Sequence, residues 1–163
     1  MTPALLAVSV LVLAASCSPS RQSAAQRENA TSPDSVVGKV VEVGSDPTTW
    51  LVVQPQAGGK SMRLTGALIT VLRTVGGAVV WLSGEQDADE FRVDRFAVRM
   101  VNDQPVDDGI VVVSGENVSL RLATGESRIV PNAPSAMRAM PGARVWLTRP
   151  VPGTAPSFGV IER

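Results

Sequence analysis

Leu72-Arg73-Thr74-Val75-Gly76-Gly77-Ala78-Val79-Val80-Trp81-Leu82 can be laid without a gap over Met137-Arg138-Ala139-Met140-Pro141-Gly142-Ala143-Arg144-Val145-Trp146-Leu147. Six of these eleven positions are identical. Further matches flank the stretch. Val37-Gly38-Lys39-Val40-Val41 parallels Asp108-Gly109-Ile110-Val111-Val112, and Phe91-Arg92-Val93 parallels Phe158-Gly159-Val160 once the second copy gains two loop residues. Self-similarity of this kind marks two like structural units in one chain.

Each copy reads in the same order. In the first, 36–43 is a strand rich in β-branched residues, closed by a turn at Ser45-Asp46-Pro47. A second strand at 50–54 and a short third at 60–64 are separated by Gly58-Gly59. The period then changes. Leu68, Val71, Leu72 and Val75 fall at helical spacing, and Gly76-Gly77 stops that helix. Strands follow at 78–83 and 91–100, around an acidic turn at 84–90. The second copy predicts strands at 109–113, 118–123, 127–130, 143–148 and 157–161, with a short helix at 135–140. Three strands, a helix and two strands is the order of the OB-fold, a small five-stranded barrel. The fold class is therefore mainly β, and the chain resembles two tandem small OB-like barrels, residues 36–101 and 108–163, joined by a linker at 102–107. A single β-sandwich or one larger mixed barrel is the competing architecture. Copies this small bury little core each, so they are expected to pack together.

Upstream, the apolar run from Ala4 to Ala15 is 12 residues long and ends in Ala14-Ala15-Ser16-Cys17. It is too short to span a membrane, which takes ~20 apolar residues, and fits the apolar region of a secretory signal. With Leu13 just before it, this stretch resembles the lipobox of a bacterial lipoprotein precursor. The resemblance implies that residues 1–16 are a signal peptide and that Cys17 is acylated and becomes the new amino terminus. It also implies a location in the cell envelope, anchored by lipid and, in a Gram-negative cell, on the outer membrane facing the periplasm, because Ser18 rather than Asp follows Cys17. An ordinary cleaved signal and an uncleaved anchor are the rival readings. Residues 17–35 hold no large apolar side chain before Asp34 and read as a lipidated, disordered tether.

Composition excludes several functions. Removing residues 1–16 from 163 leaves 147, with all 15 basic and 15 acidic side chains among them. A chain of zero net charge offers no general electrostatic case for nucleic acid. There is no His, and Cys17 is the only cysteine. The commonest general base and metal ligand is thus missing, and an acylated Cys17 leaves no thiol. No metal or cofactor site and no catalytic residue is expected. Glu85, Asp87, Asp89 and Glu90 lack calcium-loop spacing and read as a solvated hairpin tip. Asp107-Asp108-Gly109 reads as a turn.

Four residues remain as candidates for a ligand or partner surface: Trp81, Trp146, Arg73 and Arg138. Arg144, Trp146 and Thr148 share one side of their strand, and Ala143, Val145 and Leu147 the other. Arginine is not expected to face a barrel interior unpaired, so Trp146, and Trp81 by equivalence, should point away from the core. Either packs against a neighbouring element or the other copy, or serves as a binding platform. Trp50, near a strand start, is expected in the core or at an edge. Arg73 and Arg138 recur on both helices and either bridge to nearby groups or hold an anionic ligand. These features describe a non-enzymatic binding module for an envelope protein, a peptide or a glycan, or else a structural subunit of an envelope assembly.

The anchor has a direct test. Cys17→Ser should release the protein from membranes or leave it as precursor, since each buried methylene of an acyl chain contributes ~0.8 kcal/mol. Mass spectrometry of the mature amino-terminal peptide should show acyl mass on Cys17, and a Cys17-initiated peptide without it would overturn the assignment.

Overall fold

The computed structural model describes residues 34–149 and 156–163. The expected signal peptide, Cys17 and nearly all of the tether lie outside the described residues. Strand β1 (Asp34–Ser45) is followed by β2 (Thr48–Pro55), β3 (Met62–Thr65), helix α1 (Ile69–Arg73), β4 (Val79–Asp87) and β5 (Glu90–Val101). The second half repeats the order with β6 (Gln104–Ser114), β7 (Asn117–Leu122), β8 (Ser127–Ile129), α2 (Ser135–Arg138), β9 (Arg144–Thr148) and β10 (Phe158–Glu162). The fold is mainly β, and the element order read from the sequence is the one observed.

In the first half the strands close on themselves. β1 pairs with β2, β2 with β3, β5 with β4 and β4 with β1, all antiparallel, while β3 and β5 pair in parallel. Alternation sends Val40, Leu51, Val53, Val80, Leu82, Phe91 and Val93 inward, each at most 3% exposed. Leu72 of α1 and Val75 plug this core. In the second half β7, β6, β9 and β10 follow one another antiparallel, with β8 on β7. No ladder between β8 and β10 closes this ring among the described residues.

The repeated residues do repeated work. Gly38 pairs with Val80 as Gly109 pairs with Val145. A Cβ on Gly38 would lie 2.5 Å from the Gln54 carbonyl oxygen, and one on Gly109 would lie 2.6 Å from that of Arg121. Both strands therefore cross their neighbour too closely for any side chain. The Gly77 N–H donates to the Val40 carbonyl at 2.8 Å and the Gly142 N–H to that of Val111 at 2.8 Å. Val40 and Val111 in turn donate to the carbonyls of Ala78 and Ala143 at 3.0 and 2.9 Å. Each helix end is thus stitched to the first strand of its own copy.

Four local expectations are revised. Asp34 and Ser35 belong to β1, opposite Gly84 and Ser83, so the ordered part starts earlier than the composition of the tether suggested. β4 runs on to Asp87, leaving only Ala88 and Asp89 as the turn in the acidic segment. The connection between copies is a tight hairpin at Asn102 and Asp103, both with positive φ, and β6 already begins at Gln104. Asp107-Asp108-Gly109 is not a turn but the middle of β6, with Asp107 buried.

The two halves fold as one compact unit. They have separate apolar centres, yet Val106 and Ile161 of the second half are buried in the first core. The Thr74 hydroxyl, 2.7 Å from the Val71 carbonyl, is also within hydrogen-bond reach of the Ile161 carbonyl at 3.2 Å, which places β10 beside the end of α1. Val80 with Leu82 and Val145 with Leu147 all face inward, at 0–2% exposure. Leu82→Ala and Leu147→Ala should each cost about 2–5 kcal/mol. Chemical denaturation should show both midpoints falling, and unchanged midpoints would contradict this core assignment.

Candidate functional site

Arg144 on β9 and Asp108 on β6 form a two-toothed ion pair at the junction of the copies. Arg144 Nε donates to Asp108 Oδ1 at 2.9 Å and Arg144 Nη2 to Oδ2 at 2.8 Å. Each partner reaches across to β5 as well. Arg144 Nη2 donates to the Phe96 carbonyl at 2.7 Å, and Asp108 Oδ2 accepts the Val98 N–H at 2.8 Å. The guanidinium carbon also lies 4.3 Å from the centre of the Phe96 ring. β5 is paired to β3 through Arg92 and to β6 only from Met100. Along the free edge between those points, this side-chain pair takes the place of a neighbouring strand.

Trp81 and Trp146 have different fates. Both are half-buried and off the core side of their strands, as the parity of Arg144 required. Trp146 packs against the core of the first copy and lies over Gly159, where a Cβ would meet the indole at 2.5 Å. It is a contact between the copies. Trp81 instead lines an open groove of about 500 Å³ between the copies. Leu68, Phe96, Ile110 and the Arg144–Asp108 pair line it too, together with Leu122 of strand β7. Arg95 and Arg121 stand at its exposed rim. Asp94 is the remaining carboxylate there, so with Arg144 and Asp108 neutralising each other the groove carries one net positive charge.

Arg73 and Arg138 do not join this groove. Arg73 is ion-paired to Glu42 and donates to Thr49 Oγ1 at 3.4 Å and to its carbonyl at 3.3 Å. Arg138 donates to the Glu116 carbonyl. Each helix arginine thus fastens the first hairpin of its own copy, the bridging role of the two that were expected for it. A hydrogen bond from Thr49, the largest effect, holds the exposed Glu42 carboxyl below its ordinary range; desolvation, next in size, opposes it, and the charge and hydrogen bond of Arg73 add to the lowering. The bridge is therefore present above the usual carboxylate pKa and is lost as pH falls through the depressed value.

Trp50 takes the edge, not the core, of the two places expected for it, since β3 pairs with β2 only at Val52 and Val53. It is 37% exposed on the outer face, opposite Val43, which is 39% exposed, with the Arg63 guanidinium 5.9 Å from its ring. The acidic segment is spent on surface ion pairs, Lys60 with Asp89 at 2.7 Å and Arg92 with Glu85 at 2.9 Å. Among the described residues no three His, Cys, Asp or Glu side chains are arranged to hold a metal ion. A second hollow, beside α2 and Arg163, is walled by Ala136, Ala139 and Pro141 and has no convergent polar groups around it. The groove beside Trp81 is the better candidate because an aromatic face, apolar lining and free charges meet there. Compared with protein-family models, curated proteins and solved structures, the chain finds no match.

Two stability measurements separate these roles. Arg144→Ala leaves Asp108 and the Phe96 carbonyl of β5 without their partner. It should cost roughly 3 kcal/mol, the lower end for breaking a buried pair, because the Arg144 side chain keeps 24% exposure. Trp146→Ala should cost about 3 kcal/mol and Trp81→Ala only about 1 kcal/mol. Equal losses in denaturant melts of the two tryptophan variants would refute the division between a packing and a groove-lining residue.

Proposed function

We propose that the chain is a non-enzymatic binding module held at a bacterial envelope by lipid on Cys17, and that the groove between its two copies receives a partner. The Cys17 reading rests on the apolar run and the small residues before it. The binding reading rests on one observation: Trp81, unlike its counterpart Trp146, is not covered by the other copy but lines an open groove. A half-buried tryptophan beside arginines is the residue pairing in which binding energy concentrates. The closed ring of β1, β2, β3, β5 and β4, with α1 between β3 and β4, supports an OB-like barrel as the scaffold. That likeness sets no ligand by itself. A sequence without His, with Arg144 and Asp108 paired to each other in the groove, gives little support to chemistry there.

The second reading is a structural subunit of an envelope assembly. The exposed Val43–Trp50 pair on the outer face of β1 and β2 favours it, since paired apolar side chains there would be covered by another chain.

Crosslinking in intact cells followed by mass spectrometry tests both. Trp81→Ala should abolish recovery of the partner while membrane attachment and the denaturation midpoint change little. Recovery that survives Trp81→Ala but is lost in Trp50→Ala would move the site to the outer face. Recovery that survives both would leave neither reading standing.

A further inference from the structure

Granted that the groove is the binding site, we infer that its occupant is an extended acidic peptide segment, one that presents a carboxylate next to an apolar side chain. Arg95 and Arg121 enter the groove from different copies, on β5 and β7. Both are exposed, and neither joins an ion pair among the described residues, whereas Arg63, Arg73, Arg92, Arg128 and Arg144 all do. Arg144, which also lines the groove, is already ion-paired to Asp108 and bonded to the Phe96 carbonyl. The free positive charge of the groove is therefore on Arg95 and Arg121, offset in part by Asp94, and lies beside the apolar lining of Leu68, Trp81, Phe96, Ile110 and Leu122. A ligand matching that layout carries its negative charge beside an apolar body.

The composition of the walls decides between a peptide and an acidic glycan. A sugar ring presents hydroxyls in several directions, and each one buried without a partner costs free energy. Glycan sites meet this with side-chain amides, hydroxyls and carboxylates. No Ser, Thr, Asn or Gln lines this groove, and Asp94 is its one carboxylate outside an ion pair. Its side-chain donors are guanidinium groups and the Trp81 indole, and the rest of its surface is aliphatic or aromatic, which favours a peptide. Leu68, Ile110 and Leu122 suit an apolar peptide side chain, Trp81 suits any flat or branched one, and Arg95 or Arg121 suits an acidic neighbour through a two-pronged hydrogen bond.

The test follows the three tryptophan indole N–H signals of the whole chain by NMR, with the protein kept in detergent and the Trp81 signal assigned from Trp81→Phe. The probe is a short capped peptide alternating Leu and Glu, compared with its Leu-Gln counterpart and with an oligoglucuronate. The Leu-Glu peptide should shift the Trp81 signal and leave that of Trp146 in place. Combined Arg95→Gln and Arg121→Gln substitution should weaken it roughly five- to tenfold, as expected for two solvent-facing ion pairs, with an unchanged denaturation midpoint. Raised salt should weaken it similarly. Equal shifts with the Leu-Gln peptide would overturn the acidic preference while leaving a peptide groove. A stronger response to oligoglucuronate would overturn the peptide class. No response to any probe, with partner crosslinking still dependent on Trp81, would overturn this inference and leave the binding module intact. Loss of that crosslinking dependence too would remove the groove itself.

Discussion

The Arg144–Asp108 pair sets the relation of the two copies, and most of what is distinctive in the molecule depends on it. A strand edge left without a neighbour must find partners for its N–H and C=O groups. At Phe96 and Val98 those partners are two side chains from the other copy, each already hydrogen-bonded to the other. The arrangement suits a pair of charges because both carboxylate oxygens and two of the three guanidinium nitrogens are bonded. Asp108 accepts from both arginine nitrogens and from the Val98 N–H, and Arg144 adds the face of Phe96. The same contact stops β5 from pairing further with β6, so the strands diverge after Pro105 and leave the groove that Trp81 lines.

The copies have the same plan but not the same burden. The first closes its ring through the parallel pairing of β3 and β5, with Leu64 beside Phe91. The second has no such pairing among the described residues and gives apolar side chains away: Val106 and Ile161 are buried in the first core and Trp146 packs on it. Its own centre is smaller, built around Val111, Leu120, Met137, Val145 and Leu147. The second half thus gains cooperativity by docking rather than by closure, which agrees with the marginal stability expected of so small a barrel alone.

How much of this the sequence displays differs from residue to residue. Gly38 and Gly109, Ala78 and Ala143, and Val80 and Val145 recur because local backbone geometry demands them, so the repeat exposed both element order and strand parity. Arg144 oriented its strand, since a charge between Val145 and Ala143 can only lie off the core side. The same residue's partner was invisible. Asp107-Asp108-Gly109 has turn chemistry, and the arginines that hold its aspartates in a strand are 21 and 36 positions away. Trp50 was left between core and edge for a different reason. Trp50-Leu51-Val52-Val53 is apolar throughout, so alternation carries no signal there and only the phase of the pairing with β1 sends Leu51 and Val53 inward and Trp50 out.

The candidate site was half legible for the same reason. Equivalent positions predicted equivalent tryptophans, and both do leave the core side of their strands. What distinguishes them is the residue opposite. Gly159 faces Trp146 across the β9–β10 ladder and lets the indole lie flat on the strand, while Ala97 faces Trp81 across β4 and β5 and its own methyl group occupies that space. One glycine seats its tryptophan in the structure, and one alanine, with the charged pair spreading the strands beneath, keeps the other at the wall of a groove. Duplication supplied two like aromatics, and the junction between the copies gave one a packing role and left the other open to a ligand.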